Sequence, residues 1–255
     1  MASRPIGEAL APEPVLILAS RSPRRRELLE AEGIAFEVVP GTEKEPASQP
    51  GEDCAHYARR AAIAKALEVA RSRPGRWTLG ADTVVEVNGV PLGKPADAEE
   101  ARQMLRQLSG RSHRVYTGVA LVRVDAEGAQ EVRADVAVTT VTFRPLQEAE
   151  IAAYVATGEP LDKAGAYGIQ GGAAQFVSLV EGSYSNVVGL PLELVRQMLH
   201  EVLGREAGGY GSRERSARHG KGRDLRRVVR RSCGNSSPLG DPGRPTCDDT
   251  TGSLP

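Results

Sequence analysis

The chain has 255 residues, 40% of them apolar, which is enough to bury one sizeable hydrophobic core with or without a tail. Its 33 basic and 33 acidic residues cancel, which excludes a polyelectrolyte, and no apolar run approaches the length that spans a bilayer. Three cysteines, Cys54, Cys233 and Cys247, form neither a disulfide framework nor a zinc-ligand spacing in the patterned part of the chain.

Residues 1–14 contain three prolines and no periodicity, and are expected to be a flexible extension. This segment has one arginine and no apolar stretch, so it does not read as a secretory signal, and a reducing cytoplasm is the expected location. The run Val15-Leu16-Ile17-Leu18-Ala19 predicts a buried strand. Ser22 before Pro23 is the pattern of an N-cap with proline at the first helical position, predicting a helix through Leu28 and Leu29 that stops near Gly33. A second strand over 35–39 completes a strand-helix-strand unit and points to an α/β protein.

Further along, an alanine-rich helix is expected over 55–71 and a buried strand over 77–81. Residues 84–92 alternate around Asn88-Gly89, a hairpin-turn signal. A helix over 97–108 precedes two long antiparallel strands, 112–124 and 130–143, turning at 125–128. Helix 147–157, strand 176–180 and a closing helix 191–203 end the patterned body. From Arg205 on, 11 Lys/Arg face 6 Asp/Glu, against 22 and 27 before it. This Gly-, Ser-, Arg- and Pro-rich segment, 205–255, is predicted to be a disordered basic tail, since it has too little apolar surface to offset its ordering entropy.

Four clusters carry chemistry. Ser20-Arg21-Ser22-Pro23-Arg24-Arg25 lies between a strand and a helix N-terminus, where backbone N–H groups, hydroxyls and guanidinium groups favour an anion; the same text also suits a capped surface helix with solvated arginines. Gly80-Ala81-Asp82-Thr83 puts one carboxylate at the expected end of a buried strand, as a metal ligand, a proton acceptor or an ordinary turn residue. Gly89 to Pro95 is one residue short of a P-loop and has Pro95 where magnesium-binding Ser/Thr would stand, which rejects that motif and leaves Lys94 on a stiff mount. Residues 159–171, with glycines and a proline in close succession, predict a shaped loop. Its Gln170 offers the donor and acceptor that a pyrimidine edge requires, although a plain structural turn explains the same composition. His113, Tyr116 and Tyr167 are expected to pack rather than react.

Taken in order, LASRSPRRRELL, GADTVV, GKP, LSGRSHRVYTGVAL, GEPLDKAGAYGIQG and YSNVVGLPL make the chain resemble the Maf family of nucleotide pyrophosphatases over 15–204. The resemblance implies an α/β, two-lobed, ITPase-like fold, with a mixed bent sheet flanked by helices around a deep cleft. It implies hydrolysis of a nucleoside triphosphate between its α and β phosphates, with a divalent cation, magnesium or manganese. It makes Asp82 the proton acceptor and, with Glu45, a metal ligand, although Glu43 competes for Glu45's place. It assigns phosphate contacts to Ser20, Ser22, Arg25, Lys65 and Lys94, with Arg24 beside them, and substrate selection to Arg24, Thr83 and Gln170. The form DKAGAYGIQG resembles the subgroup acting on dTTP and UTP. The alternatives are the sister subgroup acting on 7-methylguanosine triphosphate and a nucleotide-binding regulator of septum formation. The family also admits a homodimer. The tail departs from the family's pattern; nucleic-acid binding through it is the weaker expectation, since interleaved aromatics are missing.

Overall fold

The computed structural model describes residues 16–42 and 46–204. The expected extension 1–14, the expected tail 205–255 with Cys233 and Cys247, and the acidic pair Glu43 and Glu45 lie outside the described residues. The chain begins its described part with the Leu-Ile-Leu run as strand β1 (Leu16–Leu18), buried throughout. Helix α1 (Pro23–Ala31) comes next, with Ser22 at its N-cap position and Pro23 first in the helix, and Gly33 turns the chain out at φ +68°. Strand β2 (Phe36–Val38) returns parallel to β1, so the expected strand-helix-strand unit forms.

Helix α2 (Cys54–Arg71) crosses to β3 (Trp77–Val87), which also pairs parallel with β1. Asn88 and Gly89, both at positive φ, then reverse the chain into β4 (Val90–Leu92), as the hairpin turn demands. Asp97 caps α3 (Ala98–Leu108) by accepting from the Glu100 N–H. Strands β5 (Ser112–Val124) and β6 (Gln130–Phe143) match the predicted pair residue for residue. Gln147 and Glu150 form a capping box that starts α4 (Glu148–Ala156). The predicted shaped loop is a chain of short 3-10 turns at Glu159–Asp162, Ala164–Ala166 and Gly172–Phe176. Gly165 is required within it: φ is +69°, and a Cβ there would press into the Val85 side chain. Strand β7 (Val177–Glu181), helix α5 (Tyr184–Val188) and helix α6 (Leu192–Leu203) close the described chain. Helix α5 was not foreseen from sequence; its five residues are shorter than any periodicity can reveal.

Among the described residues the strands form one mixed sheet, ordered β2-β1-β3-β5-β6-β7 with β4 on β3. Its two largest apolar cores sit under different helices. One gathers Val85, Leu105, Leu108, Phe143, Ile151 and Phe176 beneath α3 and α4; the other gathers Leu16, Leu18, Leu79, Leu121, Val195 and Met198 beneath α6. Helix α2 lies directly on the sheet. Its buried Ala58, Ala62 and Ala66 face Gly80 and Gly118, where a Cβ would collide with the carbonyls of Ala62 and Ala58. The small residues are therefore what let this helix descend onto β3.

One expectation is corrected. The sequence suggested strand 77–81 ending before Asp82, whereas β3 runs unbroken to Val87 and Asp82 sits in mid-strand. The reason is β5, which pairs with β3 from Thr78 to Glu86 and carries the strand through its polar pair.

Candidate active site

The opposite edge of β3 explains why a mid-strand carboxylate reaches a cavity wall. There β1 pairs only with residues 77–79, and β4 only with 85–87. Among the described residues, 80–84 have no strand neighbour on that edge, and Asp82 and Thr83 stand in the gap. Successive side chains point to opposite faces, so Asp82 faces α2 while Thr83 faces Arg25 and Thr117. The gap opens onto a cavity of about 710 Å³, a size suited to a small-molecule ligand.

Ser20, Ser22, Arg24, Arg25, Lys65, Asp82, Thr83, Lys94 and Gln170 all line this one cavity, although they come from five separate stretches of sequence. Glu45 lies outside the described residues, so its expected metal role has no geometry here. Six Lys/Arg and four Asp/Glu line the wall, an excess of positive charge suited to an anion. Helix α1 aims its N-terminus at the cavity with no acidic residue in its first turn. Among the described residues the Ser22 hydroxyl does not cap α1, so capping does not compete with ligand binding.

Lys65, three turns into α2, reaches Asp82 Oδ1 at 2.5 Å, with the carboxylate side chain 8% exposed. The Gly80–Gly118 seam makes this pair possible: Gly118 is the cross-strand neighbour of Asp82, and α2 could not approach over a larger residue. Arg25 is tied into the scaffold. Its Nε donates to the Gly189 carbonyl at 2.8 Å, and its terminal nitrogens donate to Ser20 Oγ at 3.2 Å and Thr83 Oγ1 at 3.3 Å. It thereby joins the anion loop, the strand bearing Asp82 and the turn after α5. Arg24 faces Asp162 at 3.7 Å. Burial raises the pKa of Asp162, but Lys163 and Arg24 outweigh it and hold the carboxyl below its ordinary value.

Several wall residues had no role assigned from sequence. Glu68, one turn beyond Lys65, accepts from the Thr42 N–H at 2.5 Å and its hydroxyl at 2.9 Å. Arg21 donates to the Gly41 carbonyl at 3.1 Å, so both ends of this contact line the cavity rim. Glu159, Asp162 and Lys163 also line the cavity. Helical spacing places Glu68 on the face of Lys65, a signal that could have found it, and Glu159 opens the 159–171 cluster, whose sequence reading rests on its loop shape and on Gln170 alone. His113 packs as expected. Its Nε2 meets the Tyr167 hydroxyl at 2.8 Å, and burial lowers its pKa to about 4, leaving a neutral imidazole at pH 7. Tyr167 is itself buried, and Tyr116 donates to Glu86 at 2.9 Å. Among the described residues no group of three or more His, Cys, Asp or Glu side chains is arranged to hold a metal by itself.

Comparison with known proteins matches this frame. The model of the Maf family, described as Maf-like protein, covers residues 15–202. A dTTP/UTP pyrophosphatase from Geobacter sulfurreducens is 51% identical over 188 residues, covering 73% of this chain and 96% of that protein. One from Symbiobacterium thermophilum is 52% identical over 184 residues, covering 72% and 92%. One from Anaeromyxobacter sp. is 52% identical over 191 residues, covering 73% and 91%.

Proposed function

The chain belongs to the Maf family, and from that premise we propose that it is a nucleoside triphosphate pyrophosphatase acting on dTTP and UTP. The observation that carries this reading is Asp82, set where one edge of β3 lacks a strand neighbour and held by Lys65 at 2.5 Å on the wall of a cation-rich cavity. Water attacks the α-phosphorus, forming a new P–O bond, and its proton passes to the Asp82 carboxylate. The bond from the α-phosphorus to the bridging oxygen breaks, and pyrophosphate leaves with that oxygen. Lys65 fixes the orientation of the carboxylate.

Ser20, Ser22, Lys94 and the N-terminus of α1 hold phosphate oxygens, and Arg25 adds its charge while keeping Ser20 and Thr83 in place. Gln170 reads the base, its amide matching the adjacent carbonyl and N–H of uracil or thymine, with Arg24 and Thr83 completing the selection. Oxygen donors are what magnesium or manganese takes, and such ions need only one or two carboxylates beside substrate phosphates and water. Asp82 on the cavity wall fits that requirement, Glu68 adds a second carboxylate there, and Glu45 is the ligand assigned by resemblance. A bound divalent cation supplies neutralisation of the phosphate charge. Among the described residues no helix is long and apolar enough to cross a membrane, and the cytoplasm, where nucleotide pools reside, is the location this reading requires.

The test is pyrophosphate release from a panel of triphosphates with magnesium or manganese, for wild type and Asp82→Asn. Release from dTTP and UTP is expected, abolished by a chelator, restored by the metal, and reduced by about 10²–10⁴ in the variant. Activity confined to 7-methylguanosine triphosphate would keep the chemistry and overturn the base assignment at Gln170. A folded wild type that releases nothing would overturn catalysis and favour a nucleotide-binding regulator.

A further inference from the structure

We propose that Glu159 and Tyr154 are positioning residues for base selection, clamping the loop that presents Gln170 to the nucleotide. This rests on the pyrimidine reading of Gln170 given above and goes beyond it by naming what makes that reading possible. Gly168-Ile169-Gln170-Gly171-Gly172 contains three glycines, and an unrestrained stretch of that kind samples many backbone states. Gln170 itself is exposed. A side chain that discriminates bases by hydrogen bonding must be held in register, because a misplaced amide pairs with right and wrong bases alike.

One carboxylate supplies that restraint at both ends of the loop. Glu159 Oε2 accepts the Gly172 N–H at 3.0 Å, and Oε1 accepts the Tyr154 hydroxyl at 3.0 Å. The Tyr154 oxygen in turn accepts the Gly168 N–H at 3.0 Å. Inside this bracket the Gly171 N–H donates to the Gly168 carbonyl at 3.1 Å, and Ile169 is buried as the loop's apolar anchor. The backbone lies so close that a Cβ on Gly171 would collide with the Glu159 carboxylate, and one on Gly172 would press on the Tyr154 ring. The glycines are therefore fitted to the clamp.

The clamp stands on rigid ground. Tyr154 belongs to α4, is 4% exposed, and meets Phe176 edge-on with ring centroids 5.3 Å apart. Burial raises its pKa, so its hydroxyl keeps the proton that it donates to Glu159. Lys163 braces the other limb, donating to the Glu159 carbonyl at 2.7 Å and to Asp162 at 2.6 Å, and Asp162 faces Arg24. A single network thus spans from the Gln170 loop to Arg24, linking two of the three cavity positions assigned to substrate choice. Both Glu159 oxygens are engaged, one by the loop and one by Tyr154, so the residue acts through Gln170 and not on the substrate.

The experiment is a double-mutant cycle on base discrimination. Steady-state kcat and KM for UTP and CTP are measured for wild type, Glu159→Gln, Tyr154→Phe, Gln170→Ala and the Glu159→Gln/Gln170→Ala double variant, with Tm recorded for each. Glu159→Gln and Tyr154→Phe are each expected to reduce the UTP-over-CTP ratio of kcat/KM by about tenfold, the worth of one positioned hydrogen bond. The loss should fall on KM for UTP, with kcat nearly unchanged. The double variant should discriminate no worse than Gln170→Ala alone. A lowered Tm with an unchanged ratio, or losses that multiply in the double variant, would overturn the clamp. Failure of the functional reading shows separately, as a wild type that hydrolyses neither dTTP nor UTP. The same cycle then runs on the triphosphate the panel identifies against one differing in its base edge, and multiplying losses again overturn the clamp.

Discussion

At the scale of single residues, the side chains that gather at the cavity were legible because each sits in compact local text: Ser20 and Ser22 before a helix, Asp82 after a buried run, Lys94 between glycine and proline. What they touch was not legible. Arg25 reads as a phosphate grip, yet its donors engage Gly189, Ser20 and Thr83, two of them 164 and 58 positions away. His113 gives the clearest residue-scale prediction. Burial holds its folded pKa near 4, below the 6.5 of an unfolded histidine. Between those values the unfolded chain binds the extra proton, so this stability is present above pH 6.5 and lost as pH falls through 4, amounting to roughly 3 kcal/mol at about 1.4 kcal/mol per pKa unit. Denaturant melts across that range should show the loss, and His113→Phe should flatten it. Glu52 and Glu150, both held near pKa 2 first by side-chain hydrogen bonds from Arg60 and Arg144, add their own loss as pH falls through 4.5, so the His113 effect is read above that pH.

At the scale of elements, the decisive contact is α2 on β3 and β5. An alanine-rich helix was predictable from composition, but its descent onto Gly80 and Gly118 depends on two strands that the sequence does not show to be adjacent. Gly118→Ala is expected to push α2 off the sheet, since the new Cβ would collide with the backbone carbonyl of Ala58, which cannot rotate away. Overpacking of this kind typically costs about 1–3 kcal/mol. Activity should fall further than stability alone explains, because Lys65 rides on the same helix; comparing Tm with pyrophosphate release below the transition measures both. Gly80→Ala, meeting the Ala62 carbonyl, should behave alike. The misread break in β3 has the same origin. Asp82-Thr83 interrupts the apolar run, and only pairing with β5 shows that the strand continues.

At the scale of the whole molecule, the described elements finish at Leu203 and the family match at residue 202, so catalysis should not need residues 205–255. A chain truncated after Gly204 is expected to release pyrophosphate at the full-length rate. A large loss would assign the tail a role in the reaction, and salt-sensitive nucleic-acid binding that disappears on truncation would assign it a different one. The sequence by itself determined the α/β class, the long hairpin of β5 and β6, the Ser22-Pro23 start of α1, and which side chains its motifs single out. These come from periodicity, turn chemistry and capping, which act over a few residues. Tertiary structure alone decided that Asp82 lies where one edge of β3 is left without a strand neighbour, that Lys65 meets it, that Arg25 is built into the scaffold, and that Glu159 brackets the Gln170 loop. Each of these depends on side chains far apart in sequence, brought together by sheet order and by glycines that admit a helix, neither of which leaves a local pattern to read.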